Sequence, residues 1–281
     1  MGKSAQRQSK MPNIIVSGLF DDIRSRHIRF LEEASRLGNL YVFLWVDENV
    51  SAVQDRAVTF PENERLYFLN AIRYVDEVVM VKEAIHPDRL PYINGIQPDV
   101  WVVSEMDDTP EKRAFCKSQH IGYQVIPAPQ LDGFPKSSLP NPPSGRKKVI
   151  VTGCYDWLHS GHIRFFEEVS ALGNLFVSVG NDANIRTLKG SRHPFLMEEE
   201  RLYMVQAIRY VSQAFIATGY GYLDVEPEIA TLKPDIYAVN EDGDRPEKRA
   251  FCAERGIDYV VLERLPKDGL PSRQSTYLRG F

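Results

Sequence analysis

Residues 153–177, GCYDWLHSGHIRFFEEVSALGNLFV, lie over residues 18–42, GLFDDIRSRHIRFLEEASRLGNLYV, with 15 identities in 25 positions. Two further blocks repeat in the same order. Residues 63–75 (NERLYFLNAIRYV) match 199–211 (EERLYMVQAIRYV), and residues 99–116 (DVWVVSEMDDTPEKRAFC) match 235–252 (DIYAVNEDGDRPEKRAFC). An offset of 135 to 136 residues far exceeds the roughly 20–50 residues of a solenoid repeat, so each copy is a domain. The expected boundaries are 12–126 and 149–281. Between them, 127–148 carries six prolines with Gly, Ser and basic residues, which suits a semi-extended linker.

Inside the second copy, strand and helix patterns alternate. Val149, Ile150 and Val151 form a short apolar run that stops at Gly153. Ile163, Phe166 and Val169 then recur at helical spacing, and 175–179 is apolar again. That is one βαβ unit. Further apolar runs at 215–217, 236–239 and 259–262 alternate with helical stretches at 198–210 and 246–255, the last opened by Pro246 at a favourable first position. The class is therefore α/β, two tandem Rossmann-like domains with doubly wound parallel sheets. A ligand is expected beyond the carboxyl ends of the strands.

Composition narrows the function. The 281 residues are 43% hydrophobic and 26% charged, as in an ordinary globular protein. Lys and Arg number 34 against 38 Asp and Glu, so no basic field is available for a nucleic-acid polymer. Cys116, Cys154 and Cys252 form neither a disulfide framework nor a metal-ligand cluster, and a reducing cytoplasm is expected. No stretch approaches the roughly 18 apolar residues of a membrane span. Gln6 stands where myristoylation wants Ser or Thr, and Gly2-Lys3-Ser4 lacks the glycine and strand of a P-loop. No membrane partner is expected.

The chemistry lies in residues 153–162, GCYDWLHSGH, which open a helix. His159 and His162 can both turn toward the helix N-terminus, where free N–H groups and the dipole favour phosphate, and Gly161 lets backbone approach it closely. This resembles the HxGH nucleotidyltransferase superfamily. Three more signals follow in order: Leu188-Lys189-Gly190 in the loop after the second strand, Glu199-Glu200-Arg201 with Arg209-Tyr210-Val211, and Gln274-Ser275-Thr276-Tyr277-Leu278-Arg279 at a last helix N-terminus. Together they cover nearly all of the second copy. The RYV stretches resemble the glycerol-phosphate and ethanolamine-phosphate cytidylyltransferases, the latter also tandem; Leu188-Lys189-Gly190-Ser191-Arg192 also resembles adenylyltransferases that activate heptose phosphates.

The resemblance implies a transferase joining CTP, or in the alternative ATP, to a small phosphomonoester with release of pyrophosphate. His159, His162 and Lys189 would be catalytic. Gly153, Tyr155, Asp156, Gly161, Arg201, Asn240, Asp242, Ser275 and Thr276 would bind nucleotide, Arg201 as an added anion contact. Mg²⁺ is implied on the phosphates, without a protein metal cage. In the first copy the motif has become Arg24-Ser25-Arg26-His27, and Gln54 faces Lys189, so that copy is expected to be degenerate. It is expected to act as a built-in partner in an intramolecular pseudo-dimer, with a homodimer also open. A class I aminoacyl-tRNA synthetase would need a lysine-rich second motif and an RNA-binding extension, and a nucleotide sensor would be credible if both copies were degenerate.

Overall fold

The computed structural model describes residues 11–49, 58–136 and 139–278, except the side chains of residues 276 and 277. The chain divides into two compact units. Unit 1 comprises the described residues up to Asn70 with Tyr74–Asp132; unit 2 comprises Ala71–Arg73 with the described residues from Gly133 onward.

Unit 1 carries strands β1 (Asn13–Gly18), β2 (Asn39–Trp45), β3 (Glu77–Val81), β4 (Val100–Ser104) and β5 (Gly122–Ile126), with helices α1 (Ser25–Ser35), α2 (Glu62–Ala71) and α3 (Pro110–Gln119). All strands are parallel, in the order β3-β2-β1-β4-β5. Unit 2 repeats this with β6 (Lys148–Gly153), β7 (Asn174–Val179), β8 (Val211–Ile216), β9 (Ile236–Asn240) and β10 (Asp258–Leu262) in the order β8-β7-β6-β9-β10. Its helices are α4 (Ser160–Leu172), α5 (Asp182–Lys189), α6 (Glu198–Gln206), α7 (Glu226–Leu232), α8 (Pro246–Arg255) and α9 (Ser275–Leu278). No helix among the described residues is long and apolar enough to cross a membrane.

Every residue of β7 is buried, as a strand covered on both faces must be. The Leu-Gly-Asn turn before it needs its glycine: a Cβ on Gly173 would stand 2.2 Å from the Lys147 carbonyl oxygen, and one on Gly38 equally close to that of Pro12. The strand order reverses at the central strand. β6 runs beside β7 along its whole length but pairs with β9 only at Val149 and Ile150; β1 likewise meets β4 only at Ile14 and Ile15. Beyond those pairs the strands part, which opens a cleft at the carboxyl end of each sheet.

Local expectations need three corrections. Leu188 and Lys189 are not loop residues: they end α5, because Asn181 caps a helix there by accepting from the Asn184 N–H. α6 stops at Gln206, where Ile208 N–H bonds back to Val205 in a tighter turn. β8 begins at Val211 rather than 215, since Ser212 and Gln213 interrupt the apolar run without interrupting the ladder with β7. The proline-rich stretch is held at both ends. Leu131 is buried in unit 1, where the Gln130 carbonyl accepts from Arg29, while in unit 2 the Pro143 carbonyl accepts from Asn174. Gly2, Lys3, Ser4, Gln6, Gln54 and Arg279 lie outside the described residues.

Candidate active site

His159 is the N-cap of α4, and its ring folds back so that Nδ1 accepts the Gly161 N–H at 3.1 Å. Glycine is fitted there because a Cβ at 161 would meet the His159 ring at 3.0 Å. His162, one turn in, stacks on His159 with ring centres 4.0 Å apart. Tyr155 closes the other side, edge-on to His162 at 5.4 Å; its left-handed backbone (φ 52°) turns its ring over Gly153, where any Cβ would be 2.7 Å from the phenol. The two imidazoles are thereby held by packing before any ligand arrives.

Burial fixes their charge. His159 is 1% exposed, and desolvation, with the Arg264 and Arg273 charges adding to it, pushes its pKa down to about 3. Desolvation also drives His162 well below the usual histidine range, helped by His159, Arg264 and Lys189. With Nδ1 of His159 accepting, the neutral ring carries its proton on Nε2 as a donor. That Nε2 and the Nδ1 of His162 are buried without a protein partner. Two preorganised, unpaired imidazole nitrogens suit a ligand rich in oxygen.

Above His162 opens a cleft of about 570 Å³; His159 packs behind His162 and is not part of its lining. The cleft gathers Gly153, Tyr155, Asp156, Gly161, His162 and Lys189 from the β6, α4 and α5 side. Asn240, Asp242 and Ser275 come from the far side. Ser275 is held by donating to the Trp157 carbonyl at 3.2 Å. Thr276 lies in α9, and its side chain falls outside the described residues. Asp156 lines the cleft, but its Oδ1 accepts from the N–H groups of Phe195 and Leu196 at 2.6 and 2.8 Å, so it anchors that loop. Asp242 is ion-paired with Arg264.

Arg201 overturns an expectation. It is fully buried and away from the cleft lining; it donates to the carbonyls of Leu196, Cys154 and Gly180 and pairs with Asp182 at 2.7 Å. With its donors committed to the fold, it is a pin rather than an anion contact.

Arg264, Lys248 and His193 also line the cleft, and the motif reading missed them. Arg264 stands just past the carboxyl end of β10, a position that the parallel-sheet rule alone marks for ligand contact. Lys248 is nearly buried, its ammonium 5.7 Å above Tyr237, and desolvation lowers its pKa. His193 lies 3.7 Å from Asp156. Among the described residues no group of three or more His, Cys, Asp or Glu is placed to hold a metal ion.

In unit 1 the cleft at the same end of the sheet, about 560 Å³, keeps His27 but has Arg26 at the place of Gly161.

The cytidylyltransferase-like family model matches residues 15–136 and again 150–264. The FAD synthase of Methanoculleus marisnigri is 37% identical over 122 residues, covering 42% of this chain and 77% of that protein. The FAD synthase of Methanosarcina mazei is 34% identical over 136 residues, 48% of this chain and 78% of its own. The bifunctional protein HldE of Desulfatibacillum aliphaticivorans is 35% identical over 131 residues, 46% of this chain but only 26% of that protein. Matched by one family model in each of its copies, and similar to the two FAD synthases over more than three quarters of their length, the chain belongs to the cytidylyltransferase-like family of nucleotidyltransferases.

Proposed function

We propose that unit 2 transfers a nucleotidyl group from a nucleoside triphosphate to a small phosphomonoester. The observation that carries this is the neutral His159–His162 pair, its unpaired nitrogens set beneath a cleft that Lys189, Lys248 and Arg264 make cationic. An acceptor phosphate oxygen attacks the α-phosphorus, the bond to the β-phosphate bridging oxygen breaks, and pyrophosphate leaves with that electron pair. The histidines donate to the α-phosphate oxygens, where charge builds. Lys189 neutralises phosphate from the end of α5, and the α9 amides, with Ser275 released from the Trp157 carbonyl, receive the leaving pyrophosphate. Both cleft carboxylates are engaged, Asp156 by backbone N–H groups and Asp242 by Arg264, so Mg²⁺ enters as part of the magnesium–nucleotide substrate.

For the nucleotide we assign ATP. FAD, the product that the relatives' name specifies, consists of an adenylyl group joined to a phosphomonoester, and the Leu-Lys-Gly-Ser-Arg stretch at 188–192 points the same way. CTP is the second reading, supported by the family description and the Arg-Tyr-Val stretches. The test is pyrophosphate release from ATP and CTP in the presence of flavin mononucleotide, sugar phosphates and phosphorylated alcohols. ATP should exceed CTP by at least ~10-fold in kcat/KM, about 1.4 kcal/mol of discrimination. Faster turnover with CTP reverses the assignment, and release from neither sinks the reading.

A further inference from the structure

The unit 1 cleft has lost the triphosphate machinery yet remains open, and its lining differs in kind from that of unit 2. Its walls are aromatic, from Phe20, Phe30, Trp45 and Trp101. Among the described residues its charges balance, with Arg26 and Lys112 against Asp21 and Asp107; in unit 2, Lys189, Lys248 and Arg264 outnumber Asp156 and Asp242.

One buried donor in this cleft lacks an acceptor, and a second donor faces its rim. Trp101 is 1% exposed, and its indole N–H has no partner. Its counterpart Tyr237 is satisfied by Thr152 at 3.1 Å, so the orphan arises from the exchange of Tyr for Trp. A buried donor left unpaired costs roughly 1–3 kcal/mol, which an acceptor on a ligand would recover. His27 accepts the Arg24 N–H through Nδ1 at 3.1 Å. Its neutral ring, kept so by burial, therefore carries its proton on Nε2.

Of the cations among the described residues near this cleft, one is loosely held. Lys112 is buried, donating to the Asp107 carbonyl at 2.6 Å and lying 3.8 Å from Asp88; Arg24 is bound to Asp22 at 2.9 Å. Arg26, on the rim at the start of α1, reaches Asp132 at 3.4 Å between largely exposed side chains, a weak pair that an anion can displace.

We propose that the unit 1 cleft binds a planar heteroaromatic ring bearing a single anionic group, the class represented by nucleoside monophosphates. The ring lies among the aromatic walls with an acceptor toward Trp101, and the phosphate sits at the N-terminus of α1 against Arg26 and His27. One loose cation facing two carboxylates does not neutralise a triphosphate. This goes beyond nucleotidyl transfer in unit 2 and does not depend on it.

The chain has three tryptophans, of which Trp45 and Trp101 line this cleft and Trp157 belongs to unit 2. In full-length Trp157→Phe protein, emission therefore reports unit 1. Titration with AMP and CMP should give a saturable change with Kd below ~1 mM, and adding Arg26→Ala should weaken it at least ~10-fold. Ribose 5-phosphate should bind at least ~10-fold more weakly and ATP no more tightly than AMP. No saturable change, an unaltered Kd in Arg26→Ala, or tighter binding of ATP overturns the proposal. His162→Ala, which removes a unit 2 group, should leave the titration unchanged, so failure of the transfer reading is seen separately as absence of pyrophosphate release.

Discussion

His159 and His162 do opposite things in the folded and reacting protein. In the folded protein their unpaired nitrogens cost stability, and against a transition state the same nitrogens are donors already in place. His162→Ala should lower turnover at least ~10²-fold, the scale of one lost transition-state donor, while the melting temperature does not fall; His27→Ala should leave turnover within ~3-fold on the same reasoning. Equal loss from both substitutions would contradict a single active unit. Burial also gives a pH signature. Because the His159 pKa is about 3 in the fold and near ~6.5 when unfolded, protons bind the unfolded state preferentially between those values. Stability is then full above pH ~6.5 and falls as the pH drops, by on the order of 2 kcal/mol at pH ~5. Urea unfolding at pH 7 and 5 measures this together with the same-signed share of His162, and His159→Gln should shrink the difference by the His159 share. At this scale the sequence was legible where function is local: the histidines, Gly153 and Gly161 sit within ten residues. Lys248, His193 and Arg264 reach the same cleft from distant elements, and no spacing rule connects them.

The elements show why one arginine was misread. Arg201 enters from α6 and ties together the ends of β6 and β7 and the loop before α6. Arg65 does the same from α2, donating to the carbonyls of Phe60, Leu19 and Trp45 and pairing with Asp47. A residue kept in the copy whose motif is dismantled serves the fold that both copies share. Arg201→Ala should therefore cost about 3 kcal/mol or more, since it strands the buried Asp182 carboxylate and three carbonyls. Arg65→Ala should cost a similar amount in unit 1, as read by denaturant unfolding. An Arg201→Ala protein of unchanged stability and raised KM would restore the anion-contact role. Strand and helix order was legible because the repeat doubled every signal. The end of α6 and the start of β8 were not, since a change from helix to strand within Ala207 to Val211 leaves no break in apolar spacing.

For the whole chain, the two clefts predict unequal ligands. Calorimetry with ATP or CTP analogues should give one triphosphate per chain, and Lys189→Ala should weaken it by at least ~10-fold. Two equally tight triphosphate sites would contradict both the degenerate copy and the balanced charge of the unit 1 cleft. The survival of a folded unit 1 still needs a cause. Selection on nucleotidyl transfer does not explain why residues 72–79, Ile-Arg-Tyr-Val-Asp-Glu-Val-Val, are kept beside a lost motif; core packing in unit 1 explains the apolar members, and we propose that service as a partner to unit 2 explains the rest. Tethering supplies a partner at an effective concentration near the ~mM range, so a half-molecule in dilute solution must replace it by self-association or do without. Residues 133–281 alone should accordingly unfold at lower denaturant than unit 2 in the full chain, or form dimers by sedimentation, with turnover rising as concentration rises. A monomeric half, as stable and as active as the full chain, would remove the partner role and leave the ligand of the unit 1 cleft as the reason that copy persists.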